Sequence, residues 1–332
     1  MWRKSLGHKA RATRRAAGDT SRLCRPTDPS MSFTASLLIA LTATASATEP
    51  HRPGDPGPAT PTRTGAGWLS TDANDYNLSL TADGRRLVFG RSPTGDFENA
   101  QVLMATREDG PWSAHEPVFA PRPGGRDSDP WLTPDGAWLY FVSDRPAPSR
   151  ADDRKDMDLW RAPIVAGRVG EAEHLAAASS PGEELGPEVH AGVLYFNSTR
   201  PGGPAPLAIY RAPVLADGIG PAVAMPAPFN EGQVQGDLTF SPDGGIALFW
   251  SVRDESREPD LFAVMRAGDG WSEAIRLPPP FNAAGMDFTP AFTADGRTLY
   301  WASQRENAEG RADVVALSTD ELTKALGATL RP

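Results

Sequence analysis

From about residue 70 to residue 318 short apolar runs alternate with turn-forming tetrads. The runs are Leu87-Val88-Phe89, Leu139-Tyr140-Phe141, Leu194-Tyr195-Phe196, Ala247-Leu248-Phe249 and Leu299-Tyr300-Trp301. Four of them follow Thr81-Ala82-Asp83-Gly84, Thr133-Pro134-Asp135-Gly136, Ser241-Pro242-Asp243-Gly244 and Thr293-Ala294-Asp295-Gly296. In such a tetrad proline presets φ at the first central position, Asp suits the next, and Gly closes the turn without a Cβ clash. Asp83 and Asp135 are 52 residues apart, as are Asp243 and Asp295, and the gap of 108 between the pairs holds a degenerate copy at Pro187–Gly192. A third strand is predicted near Val102, Asp158, Ala208, Asp260 and Asp313, and a fourth near Pro117, Glu173, Ala222 and Ala274. Pro228-Phe229-Asn230 and Pro280-Phe281-Asn282 repeat at the same period outside the turns. Helical periodicity is confined to Thr319–Leu326, with Ser318 or Thr319 as cap and Asp320-Glu321 in the first turn.

A period near 50 residues carrying four strands, apolar on both faces, predicts sheets packed face to face around an axis. The expected fold is all-β, a β-propeller with four-stranded blades. Five blades account for every copy; a sixth would have to be cryptic. The last copy has only a short tail after Leu317, and Gly67-Trp68-Leu69 stands ahead of the first copy where Val118-Phe119 stands ahead of the second. An N-terminal strand is therefore expected to complete the last blade and hide its edge.

The series of turn tetrad, Leu-Tyr-Phe run, Ser-x-Arg (Ser143/Arg145, Ser198/Arg200, Ser251/Arg253, Ser303/Arg305) and Asp158-Leu159-Trp160 resembles the WD40-like β-propeller repeat of the TolB type over roughly residues 68–318. That resemblance implies a propeller in an exported bacterial protein. TolB has a helical domain ahead of its propeller, and nothing before the first repeat here reads as one, so the TolB partnership with Pal and the colicins is not expected to carry over.

The first 47 residues differ in kind. An apolar stretch closed by Ala45-Ser46-Ala47 has the form of a secretory signal peptide, too short to span a bilayer permanently. The Arg-rich residues ahead of it are either a long basic leader or untranslated, with Met31 the true start. Residues 48–65, rich in Pro and Thr, read as a flexible lead-in, 66–318 as the propeller and 319–332 as a tail. Beyond residue 47 remain 25 Lys+Arg against 40 Asp+Glu, a net charge of −15. Such a surface disfavours nucleic acid and anionic membranes as partners. The only cysteine, Cys24, falls in the leader, so the propeller is expected to stand without disulfides. Periplasmic or secreted location follows.

Registered on the turns, Asp75, Asp127, Glu184, Gln235 and Asp287 occupy one position, and Asp129 and Asp237 stand two residues further on. These places fall near the start of the innermost strand, so the acids are candidates for a ring at one mouth of the central channel. A ring of this kind binds a cation, an amine or a sugar, or else each acid caps its turn or pairs with a Ser-x-Arg arginine. Those arginines are alternatively expected to pair with Asp158 or Asp260. Trp68, Trp131 and Trp138 break the repeat and are ligand candidates, Trp131 foremost; Trp112 and Trp271 sit at equivalent hairpins and read as packing residues. The acidic loop Asp152–Asp158 lacks the spaced layout of a calcium loop, the histidines are scattered, and no nucleophile elbow or phosphate loop is present, so neither metal nor cofactor is expected. The function expected is that of a monomeric binding or interaction module in the cell envelope, for an unknown protein, peptide or glycan. The alternative is a five-bladed glycoside hydrolase or lyase, which requires two or three repeat-breaking acids close together in the channel.

Overall fold

Five antiparallel sheets succeed one another along the chain in a computed structural model that describes residues 49–147, 156–253, 258–305 and 310–329. The leader expected at 1–47, with Met31 and Cys24, lies outside the described residues, as does most of the acidic loop. Blade 1 consists of Asn74–Leu80, Arg86–Ser92, Gln101–Thr106 and Glu116–Pro117. Blade 2 has Asp127–Leu132, Trp138–Ser143, Asp158–Val165 and Glu173–His174; blade 3 has Glu184–His190, Val193–Ser198, Ala208–Leu215 and Val223–Ala224. Blade 4 has Val234–Phe240, Ile246–Val252, Asp260–Ala267 and Ile275–Arg276. In blade 5, Asp287–Phe292, Thr298–Ser303 and Asp313–Ser318 are joined by Thr62–Arg63 from the other end of the repeats. Each first strand touches the first strands of both neighbouring blades, that of blade 5 meeting that of blade 1. The architecture is a five-bladed β-propeller.

The turn tetrads work as their composition suggests. Thr81 Oγ1 donates to Asp83 Oδ1 at 2.6 Å, Arg85 N donates to the same oxygen at 3.0 Å, and Gly84 takes φ of 64°. The same bonds recur at Thr133/Asp135, Ser241/Asp243 and Thr293/Asp295. Each apolar run is the second strand of a blade and ends in a buried aromatic: Phe89, Phe141, Phe196, Phe249 and Trp301. Their burial between sheets contributes about 2–3 kcal/mol each relative to exposure. The Pro-Phe-Asn repeats are clips. Phe229 and Phe281 are fully buried, and the Asn230 amide bridges Ile209 N, Ile209 O and Met225 O as Asn282 bridges Leu261 N, Leu261 O and Leu277 O.

Two features differ from expectation. Residues 67–69 form a turn, with Leu69 N donating to Gly65 O, and it is Thr62 and Arg63 that pair, opposite Ala316 and Val315. Leu69 instead fills the seam between blades 1 and 5 alongside Leu78 and Val314, which no strand register allowed. The segment before residue 65 is also tied down: His51 bonds Asp295 Oδ2 at 2.7 Å and Tyr300 Oη accepts its backbone N–H at 2.7 Å. The only helix among the described residues, Thr319–Thr329, starts where read, with Asp320 N donating to Ser318 Oγ.

Candidate functional site

The channel is lined by the first strand of every blade, and each of these strands carries one bulge. The register slips between Tyr76 and Ser79, Ser128 and Trp131, Leu185 and Glu188, Gly236 and Thr239, and Phe288 and Ala291. Asn77, Asp129, Gly186, Asp237 and Thr289, inside the slips, all lie in the left-handed region at φ of 48–54°. Asn, Asp and Gly tolerate that conformation best. A bulge frees backbone groups from the ladder and re-aims the side chains beyond it. The channel therefore divides into a strand-start end before the bulges and a hairpin end after them.

At the strand-start end stand the acids picked out by register, and each is held within its own blade. Arg91 Nε lies 2.5 Å from Asp75 Oδ1, Arg145 Nη2 2.7 Å from Asp127 Oδ1, Arg200 Nη2 3.2 Å from Glu184 Oε1, and Arg305 Nη2 3.0 Å from Asp287 Oδ1. Ser143 and Ser198 donate to the same acids, at 2.6 and 2.7 Å. Blade 1 reaches this result differently, since Arg91 itself takes the position directly opposite Asp75 that serine holds opposite the others. Burial still pushes Asp75 and Glu184 upward against these partners, Glu184 to about 7. Gln235 is neutral, and Arg253 turns to Pro228 O and Glu231 instead. Asp158 and Asp260, the alternative partners for the arginines, face their own outer strands: Asp158 bonds His174 and Asp260 bonds Arg276. They sit on the third strand, opposite Ser143 and Ser251, and turn to the outer strand rather than to the arginines.

The bulge residues form a belt across the blade seams. Gly186 N donates to Asp129 Oδ2 at 3.0 Å, Asp237 N to Asn197 Oδ1 at 2.8 Å, Thr289 N to the Asp237 carboxylate, and Asn77 N to Thr289 Oγ1 at 3.3 Å. The remaining seam, between blades 1 and 2, is crossed by the hydrogen bond of Tyr76 Oη with Ser128 Oγ at 2.8 Å. A Cβ on Gly186 would meet Asp237 Oδ1 at 2.0 Å, so only glycine fits there. Asp129 and Asp237 are packed round by protein while keeping part of their surface on the channel. Burial pushes both upward. Asp237 reaches about 7, raised further by the Asp129 charge and opposed by donors from Asn197, Trp250 and Thr289.

Beyond the belt, the hairpin end opens into a cavity of about 610 Å³. Each blade contributes the residue two beyond its bulge, namely Ser79, Trp131, Glu188, Thr239 and Ala291, and the rim is formed by Ala82, Pro134, Ala191, Pro242 and Ala294 from the turns. A volume of this order suits a small-molecule ligand. None of the described lining residues is lysine or arginine. Glu188 Oε1 accepts from Thr239 Oγ1 at 3.1 Å and from Phe240 N at 3.2 Å, whereas no described residue donates to Oε2. Burial, and after it the Asp237 charge, pushes Glu188 up to about 8. His190 also lines the cavity, stacked on Phe240 with ring centroids 4.6 Å apart, and burial together with Arg266 lowers its pKa.

Of the residues singled out in the sequence, Trp131 thus lines the cavity, Asp129 and Asp237 belong to the belt beneath it, and Asp75, Asp127, Glu184 and Asp287 stand on the far side of the belt. Trp138 lies under Arg161 at 4.4 Å, and Trp68 stacks with Trp112 at 6.3 Å beside a separate hollow of about 280 Å³. Glu188 was not singled out. Its signal was present, because the equivalent positions hold Ser79, Trp131, Thr239 and Ala291, but it lay inside the degenerate copy, where register on a turn aspartate is lost.

The fold and this axial site define a five-bladed β-propeller repeat protein. No protein-family model matches the chain, and no curated protein matches it in sequence. Among solved structures it is similar to TolB from Acinetobacter baumannii, at 15% identity over 75% of this chain with a TM-score of 0.48. The chain spans 55% of that TolB. It is similar to native arabinanase from Bacillus subtilis, at 11% identity over 76% of this chain and 96% of that one, TM-score 0.50, and to a gluconolactonase from Xanthomonas campestris, at 14% identity over 81% and 97%, TM-score 0.48. At such identities the likeness is one of fold. No helix among the described residues is long and apolar enough to cross a membrane.

Proposed function

We propose that the protein is an exported propeller of the cell envelope that binds its ligand in the hairpin-end cavity and releases it chemically unchanged. The observation that carries this reading is the cavity itself: all five blades converge on about 610 Å³ of space walled by aromatic rings, Trp131 among them, and holding one carboxyl with an open oxygen, Glu188. Export rests on the signal-like segment ending at Ala45-Ser46-Ala47 and on the composition beyond it. The second reading, a glycoside hydrolase or lyase, is favoured by one finding: the acids that break the repeat, Asp129, Asp237 and Glu188, gather on the same side of the channel and are all pushed upward. Paired-carboxylate hydrolysis uses two available groups. Asp237 has its oxygens engaged by Asn197 and Trp250 and carries the belt, which leaves Glu188 as the single open carboxyl. The test is a screen of the purified full chain against defined oligosaccharides, peptides and amines, reading both thermal shift and product. Binding that is lost in Trp131→Ala, with ligand recovered intact, supports the binding role; cleavage of a glycan abolished by Glu188→Gln replaces it with the enzyme. Cell fractionation with and without residues 1–47 tests export.

A further inference from the structure

We propose that the cavity receives an organic cation, a primary ammonium or guanidinium group on an apolar stem, with Glu188 as its counter-ion and the Trp131 ring beside the stem. This rests on the reading of the cavity as a binding site and names the chemistry of its ligand.

Three observations select a cation over a neutral or anionic ligand. The first is the open valence of Glu188. Its Oε1 is satisfied by Thr239 and Phe240, and its Oε2 faces the cavity without a donor from any described residue. A carboxyl placed so lacks only a donor, and a charged donor makes the stronger bond. The second is the surrounding charge. The titratable groups around Glu188 are Asp237 on the adjoining strand of blade 4, His190 on its own strand and Tyr195 on the neighbouring strand, with Asp129 acting through Asp237. Arg266 and Arg211 act on Tyr195, and Arg266 on His190, yet neither arginine lines the cavity. Glu188 and Asp237 each raise the cost of ionising the group beside them, and an incoming positive charge removes that cost for both. An anion would add to it. The third is the wall: Trp131, Phe240 and Phe292 offer aromatic surface and Leu80 an aliphatic one, suited to a methylene stem, and an indole face attracts a cation directly. The excess of acids over bases beyond residue 47 steers the same class of ligand towards the protein.

Cation binding ionises Glu188, so a proton leaves as the ligand enters. Below pH about 8, where the empty site holds that proton, affinity rises with pH, and above it affinity levels off. The experiment is calorimetric titration of the full chain with cadaverine and with agmatine, using 1,5-pentanediol and cellobiose as neutral probes. Each run is made between pH 6 and 9 in two buffers of different ionisation enthalpy. Both cations bind and the diol does not; affinity gains up to about tenfold per pH unit below pH 8, with close to one proton released. Glu188→Gln weakens both cations by roughly tenfold or more and flattens the pH profile, while Trp131→Ala weakens them severalfold and leaves the profile in place. The wild-type profile alone decides the matter if either variant fails to fold. Failure of both amines to bind overturns the inference, as does binding that is independent of pH and equal in Glu188→Gln. Cellobiose bound in their place and lost in Trp131→Ala also overturns it, and in that event the binding role of the cavity survives.

Discussion

The two ends of the channel use the same chemical group in opposite ways. At the strand-start end, Asp75, Asp127, Glu184 and Asp287 recur blade after blade, and each meets an arginine of its own blade. At the hairpin end one carboxyl, Glu188, occurs in one blade only and keeps an oxygen turned to open space. The first group pins the second strand to the first near the axis, where the blades are narrowest. The second takes no part in pinning. An acid repeated around the ring is explained by the blade that repeats; an acid that breaks the ring has to be explained by something outside it. Blade 4 supports the distinction from the other side: where the acid is replaced by Gln235, Arg253 finds carbonyl Pro228 and Glu231, and Gln235 accepts from Gly232 N and donates to Leu207 O at the edge of blade 3.

The comparison breaks most directly at Arg305. Removing it as Arg305→Leu leaves Asp287 buried without its counter-charge and is expected to cost roughly 3–5 kcal/mol in urea denaturation; a loss under about 1 kcal/mol would show that the pairs do not hold the blades. Next in size is the belt that separates the two ends. Gly186→Ala places a methyl group on Asp237 in a left-handed backbone position and is expected to cost roughly 2–4 kcal/mol. A smaller and sign-specific effect concerns Glu188. Its carboxyl titrates near 4.5 when unfolded and at about 8 when folded, so its contribution to stability is complete below pH 4.5 and disappears as pH rises through 8. Asp237 and Glu184, raised to about 7, act in the same direction. The thermal midpoint of the wild type should therefore fall from pH 5 to 8.5, and Glu188→Gln should fall less, with the largest gap at pH 8.5. The smallest effect is expected at Asp243→Ala, which removes the bonds from Ser241 and Gly245 in an exposed turn for about 1 kcal/mol and leaves cavity binding unchanged.

Much of this could be read in the chain. The tetrads at 81, 133, 241 and 293 specify their own turns through side-chain bonds within five residues, so spacing alone located every blade. The Ser-x-Arg segments were legible as structural devices, though the choice of partner was left open: Asp127 and Asp158 both stand opposite Ser143, on the strands to either side of it, and Arg145 takes Asp127 while His174 from the outer strand takes Asp158. Blade 1 shows the limit, because Arg91 performs the same pinning from the serine position and no motif marks it. Trp131 stood out as a break in the pattern and does line the cavity. Glu188 breaks the pattern as well, but the shortened turn of its copy concealed the register.

Local chemistry fixed the turns, the strand order and the blade count, since each depends on residues close in sequence or repeated at one period. The bulges were decided only when five first strands met around an axis, where the belt bonds run from one blade to the next across about 40 residues or more of chain, as from Asn197 to Asp237. Those bulges set which side chains turn into the channel beyond them. A pocket shared among Ser79, Trp131, Glu188, Thr239 and Ala291 belongs to no segment of the sequence, and it exists because closing the ring brings together residues that only the ring relates.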